Sequence, residues 1–79
     1  MITNKELLDM YFEINEEEEV KALKLKEIYN AIVENDYSNV WSEMAERFNV
    51  TKQEWRIYQA ICIRVIKGQL EIESLGWKP

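Results

Sequence analysis

Seventy-nine residues make one domain at most, and a core that small gains from a second subunit. Hydrophobic residues are 47% of the chain, with three Trp, four Tyr and two Phe, which suits a packed core and excludes a disordered chain. The net charge of −5 is unevenly placed: residues 1–36 carry ten acids against four lysines, net −6, and residues 37–79 carry five acids against six bases, net +1.

Two Gly and one Pro, all at or after Gly68, are too few for a compact β protein, so helix is expected throughout. One Cys and no His exclude an intrachain disulfide, an ordinary metal site, and Ser-His or Cys-His nucleophilic chemistry. No cofactor and no catalytic activity are expected. The N-terminus lacks a basic region followed by an apolar stretch, and no apolar run approaches spanning length. A cytoplasmic setting away from the membrane is therefore expected.

In chain order, Thr3 followed by Glu6 has the form of a capping box, a side-chain acceptor with an acid three residues on, and opens a first helix over Asn4–Phe12. Leu7, Leu8, Met10 and Tyr11 form its core-facing stripe, and Phe12 is read as core. Asn15 and Glu18 repeat the box and open a second helix over residues 16–35. Its inward stripe is Ala22, Leu25, Ile28, Tyr29, Ile32 and Val33. Glu17 and Lys21, four apart, read as a surface pair. Asn35 and Asp36 end this helix, and Tyr37 and Ser38 begin the next turn.

A short third helix is expected over residues 39–48, with Val40, Trp41, Met44, Ala45 and Phe48 on one face. Thr51 and Glu54 form the third box, opening a fourth helix that lasts to about residue 67. Its apolar arc is wide: Trp55, Tyr58, Ile61, Cys62, Val65 and Ile66. A helix this apolar is the central packing element or also faces a second subunit. Cys62 lies on that arc and reads as an inert core thiol. Gly68 suits a helix stop. From Leu70 to Glu73 apolar and charged residues alternate, and a continued helix would set Glu73 on the apolar face. That predicts a short strand or extended arm. Leu75 and Trp77 anchor this arm to the parent domain or to a partner.

Residues 40–60 carry the pattern with most functional content. A small residue, Ala45, sits in the middle of the first of two tightly joined helices. Val50 lies in the turn, and Trp55 and Tyr58 fall at buried places of the second helix. The segment resembles the helix-turn-helix family. Asn49 stands where that family usually has Gly, and Asn tolerates left-handed backbone better than most residues. Trp55 is bulkier than the usual branched aliphatic.

The resemblance implies an all-α domain of four helices with a recognition helix from Thr51 onward in the major groove of double-stranded DNA. It would expose Thr51, Lys52, Gln53, Arg56, Ile57 and Ala60. Arg56 suits guanine edges and Gln53 adenine edges, while Thr51 and Lys52 suit phosphates. Arg56, Ala60, Arg64 and Lys67 form a stripe on which Arg64 and Lys67 would support phosphates. A homodimer would double a modest set of bases and read two half-sites. The implied function is transcriptional regulation.

Two readings compete with it. In one, the bases only solvate the outer face of a core helix. In the other, the acidic half, with Glu16, Glu17, Glu18 and Glu19, presents carboxylates to a basic protein partner. That reading resembles phage-type inhibitors or DNA mimics that block a host nucleic-acid-binding protein. The plainer account of the run is that acids in a first helical turn complement the helix dipole.

Overall fold

The computed structural model describes residues 1–35 and 41–75. Among these, four α-helices follow in order, α1 (Asn4–Phe12), α2 (Glu18–Glu34), α3 (Trp41–Phe48) and α4 (Lys52–Ile66), and a 3-10 turn over Ile72–Leu75 closes the described chain. No helix among the described residues is long and apolar enough to cross a membrane. The expected turn at residues 36–38, the start of the third helix with Val40, and Trp77 lie outside the described residues.

Local chemistry fixes most boundaries. Thr3 Oγ1 accepts from the Glu6 backbone N–H at 3.1 Å, and the Glu6 carboxylate accepts from the Thr3 N–H at 3.1 Å, a complete capping box. The Thr3 backbone N–H, and after it the Thr3 side chain, hold the Glu6 carboxyl below its usual value. Thr51 Oγ1 likewise accepts from the Glu54 N–H at 3.1 Å, but its hydroxyl donates to the Glu54 carboxylate at 3.0 Å, so the reciprocal half of this box is made side chain to side chain. At the far end of α4, Gly68 takes a φ of +72°. The Gln69 N–H donates to the Arg64 carbonyl at 2.7 Å and the Gly68 N–H to that of Val65 at 3.1 Å. That pair of bonds is a Schellman stop, and it needs the left-handed residue that glycine supplies.

The second box does not form. Helix α2 starts at Glu18 with Glu17 as an N-cap that makes no side-chain cap bond, two residues later than Asn15 and Glu16 suggested. The cause lies in a buried lysine. Lys24 is buried and donates to both oxygens of Glu16 at 2.8 and 2.9 Å, which draws Glu16 out of the helix and into the loop.

Lys21, 1% exposed, is no surface partner of Glu17. It donates to the Tyr11 carbonyl at 3.3 Å, lies 3.4 Å from Glu18, and sits 5.0 Å over the Tyr11 ring. Its ammonium thereby adds a charged donor to a carbonyl at the negative end of α1 that also accepts from the Ile14 N–H at 3.2 Å. Glu18 is largely exposed, so the ion pair itself contributes little. Lys21→Met keeps the apolar stem and loses the donor; it is expected to cost about 1–3 kcal/mol. Lys21→Ala is expected to cost more, through lost packing. Urea unfolding of both variants checks the ordering.

Helix α4 is the centre of the domain, packed against α1, α2 and α3. Its Trp55, Tyr58, Ile61 and Cys62 meet Leu7 and Tyr11 of α1, Leu25, Ile28, Ala31 and Ile32 of α2, and Met44 of α3 in one core. The Tyr11 and Tyr58 rings meet edge to face with centroids 6.0 Å apart. Three residues read as core are instead exposed: Met10, Phe12 and Val33. Each lies at the margin of an apolar stripe wider than the face its neighbours cover.

Of the expected extended arm, the part up to Leu75 is not extended, and residues 76–79 lie outside the described residues. Leu70 and Leu75 bury on the same core, and the residues between them turn as a 3-10 helix with Glu73 exposed. An extended segment in a helical domain finds no neighbouring strand for its backbone groups, whereas a 3-10 turn bonds internally.

Candidate nucleic-acid interface

Helices α3 and α4 are joined by Asn49, Val50 and Thr51 alone. Asn49 holds a left-handed φ of +54°, Val50 is 5% exposed in the core, and Thr51 caps α4. This tight turn is anchored at its centre, so the first turns of α4 are held in a fixed direction. Ala45 is half-buried and Met44 fully buried beneath α3.

Thr51, Lys52, Gln53 and Arg56 are exposed, as is Lys67 at the end of α4. Ile57 and Ala60, expected to be exposed, are half-buried. The four leading residues are not one uniform patch. Lys52 and Arg56 lie on one flank of α4 with Gln59, Trp41 and Trp55. Gln53 lies on the other, where a cleft of about 980 Å3 opens between the loop after α1 and the turn before α4. That cleft has apolar surface from Ile14, Val20, Phe48 and Ile57, and carboxylates from Glu13, Glu16 and Glu54. Lys24, paired with Glu16, and Arg47 line it too, so Gln53 borders a cleft of mixed charge, while Lys52 and Arg56 border two tryptophans.

Arg64 leaves the expected stripe. Its guanidinium donates to Asn4 Oδ1 and to the Ile2 carbonyl, both at 2.7 Å, and Asn4 Nδ2 donates to the Gln69 carbonyl at 2.6 Å. Arg64 therefore fastens the N-terminal segment to the last turns of α4. Arg47 is a further exposed cation near the turn, which the sequence analysis did not single out. It stacks 5.2 Å over Phe48 and reaches Glu27 at 3.8 Å. Its place in the last turn of α3 beside the turn residues was the available signal.

The acidic run is divided. Glu16 is committed to buried Lys24 and Glu18 lies beside buried Lys21, leaving Glu17 and Glu19 exposed without such neighbours. Glu18 and Glu19 occupy the first turn of α2, where they complement its dipole. Cys62 is buried, its Sγ 3.6 Å from the Leu25 carbonyl, and burial pushes the thiol up to about 12, which keeps it protonated and unreactive at neutral pH. Compared with known proteins, the chain matches no family, no curated protein and no solved structure.

Proposed function

We propose that this chain is a small non-enzymatic regulator of transcription that binds double-stranded DNA through α3 and α4 as a helix-turn-helix. The observation that carries the reading is the combination at the start of α4. Lys52, Gln53 and Arg56 stand exposed on two consecutive turns, and the opposite face is locked by Val50, Trp55 and Tyr58. A rigid helix end with exposed cationic and amide side chains suits entry into the major groove. Arg56 reads base edges, Gln53 reads adenine where the groove wall clears Glu13 and Glu54, and Thr51, Lys52 and Lys67 hold phosphates. Arg64 supports the site indirectly, by tying the N-terminal segment to α4. Two exposed cations on α4 and a third, Lys67, at its C-cap are few for one copy, so the protein acts in the cytoplasm as a homodimer on two half-sites.

The test is binding to random-sequence duplex DNA at low salt, followed across a salt series. The expected result is binding that weakens steeply with salt, with a slope set by the few phosphates neutralised per copy. Absence of binding at low salt would overturn the reading.

A second reading has its own observation. The cleft beside Gln53 combines apolar side chains with Glu13 and Glu54, and Glu17 and Glu19 are exposed. These suit a basic segment of a protein partner, as in a phage-type inhibitor. Glu16 and Glu18 are less available for that role, being drawn to Lys24 and Lys21.

A further inference from the structure

The flank of α4 that carries Lys52 and Arg56 is more than a charged surface. It walls a cleft of about 210 Å3 together with Trp41, Trp55 and Gln59. Trp55 is 5% exposed and forms the floor. Trp41, at the first turn of α3, is half-buried, with its ring centroid 5.7 Å from that of Trp55 and the planes inclined at 52°. The inclination leaves the two rings as adjoining walls rather than a closed stack. Lys52 and Arg56 are one turn apart on the rim, both exposed, and Gln59 follows on the next turn, half-buried.

An aromatic wall, two cations one helical turn apart and one amide select a particular ligand chemistry. The aromatic face takes a planar ring system, the cations take an anion attached to it, and the amide takes a hydrogen-bonding edge. A nucleotide has all three parts. In a duplex each base face is already covered by its neighbours, and the cleft is too small to admit a base pair. We propose that this cleft binds one unpaired nucleotide of a DNA strand. Its base lies against Trp41, its phosphate meets Lys52 and Arg56, and Gln59 reaches the base edge. The proposal rests on the nucleic-acid reading of α4 and adds to it a preference for single-stranded or locally opened DNA.

The test measures anisotropy of a dye-labelled oligothymidylate and of a duplex of equal length, each titrated with the full chain at low salt. Trp41→Leu removes the aromatic wall. It is expected to weaken single-strand binding about tenfold, within the range of one base–aromatic stack, and to leave duplex binding within about twofold. Trp41→Phe, which keeps an aromatic face and the contact with Trp55, is expected to restore most of the loss. It also serves as the folded control if Trp41→Leu melts early. Single-strand binding that Trp41→Leu leaves unchanged, or that falls equally with duplex binding in a folded protein, would overturn the proposal. Duplex binding with no single-strand binding would overturn it while leaving the helix-turn-helix reading standing. Failure of both DNAs to bind would overturn both.

Discussion

Raising the pH from about 9 to about 12 is expected to unfold the domain cooperatively, because three buried acids hold their protons in the folded chain far above their ordinary range. Burial pushes Tyr11 up from 10.0 to about 12, with Glu18 and Cys62 adding to the effect. Burial also raises Tyr58, and the carboxylates of Glu16 and Glu54 and the neighbouring Tyr11 raise it further. Burial alone raises Cys62 from 9.0 to about 12. The sign follows from where protons leave first. As pH rises through the unfolded values of 9.0 and 10.0, the unfolded chain releases these protons while the folded chain keeps them. The unfolded state then binds fewer protons, and stability falls with every further step of pH until the folded values are passed. Each unit of displacement is worth about 1.4 kcal/mol, so the three groups together withdraw several kcal/mol. That is comparable with the whole stability of a small domain.

Helical circular dichroism and tyrosinate absorbance, followed together against pH, check this. The Tyr11 and Tyr58 signal should appear with the loss of helix and not before it. Ionisation of both while the helix signal is intact would mean that their hydroxyls reach solvent in the folded protein. Neither hydroxyl has a hydrogen-bond partner among the described residues. Tyr58→Phe should therefore be at least as stable as the parent at neutral pH and should unfold at higher pH.

Tyr11, Tyr58 and Cys62 were legible as core from the sequence; other residues were not. Thr3 with Glu6, Asn49, Thr51 and Gly68 were legible because their roles are met within a few residues: a cap bond three positions on, or a left-handed φ at a stop. All four helices, and the central place of α4, followed from such signals and from its wide apolar arc. Lys21 and Lys24 were not legible. Hydropathy places lysine outside, and only the return of the loop over the end of α1 brings the Tyr11 carbonyl and the Glu16 carboxylate to them. The failure of the Asn15 cap is the same event seen from the loop. Arg64 found partners 60 and 62 residues away, a pairing that no local pattern encodes. At the candidate site, the exposure of Lys52, Gln53 and Arg56 was implied by the helix-turn-helix resemblance, which also implied that of Ile57 and Ala60, both half-buried. Glu54 and Trp55 come from α4 itself, but Glu13 and Glu16 come from the loop after α1 and Trp41 from α3, so the two unlike flanks of α4 were visible only once the helices were assembled.

That asymmetry gives the second large prediction. Lys52→Glu combined with Arg56→Glu is expected to lower affinity for duplex DNA by about a hundredfold at low salt and to flatten its salt dependence. Reversing two charges removes one phosphate contact and one base contact and adds two repulsions. Both side chains are exposed on α4, so thermal stability should change little. A folded double variant that binds as the parent does would remove α4 from the interface. Glu13→Gln, in the cleft that Gln53 also lines, is expected to move affinity the other way, because an exposed carboxylate there repels the phosphates of any DNA that enters. Glu17→Gln with Glu19→Gln lies apart from both flanks and should leave DNA binding within a small factor. Under the alternative reading the pattern inverts: the α4 reversal is silent and the loss of Glu13, Glu17 and Glu19 weakens capture of a basic partner. The two readings predict opposite responses from the same set of folded variants, because the fold sets the cations and the free carboxylates on different faces.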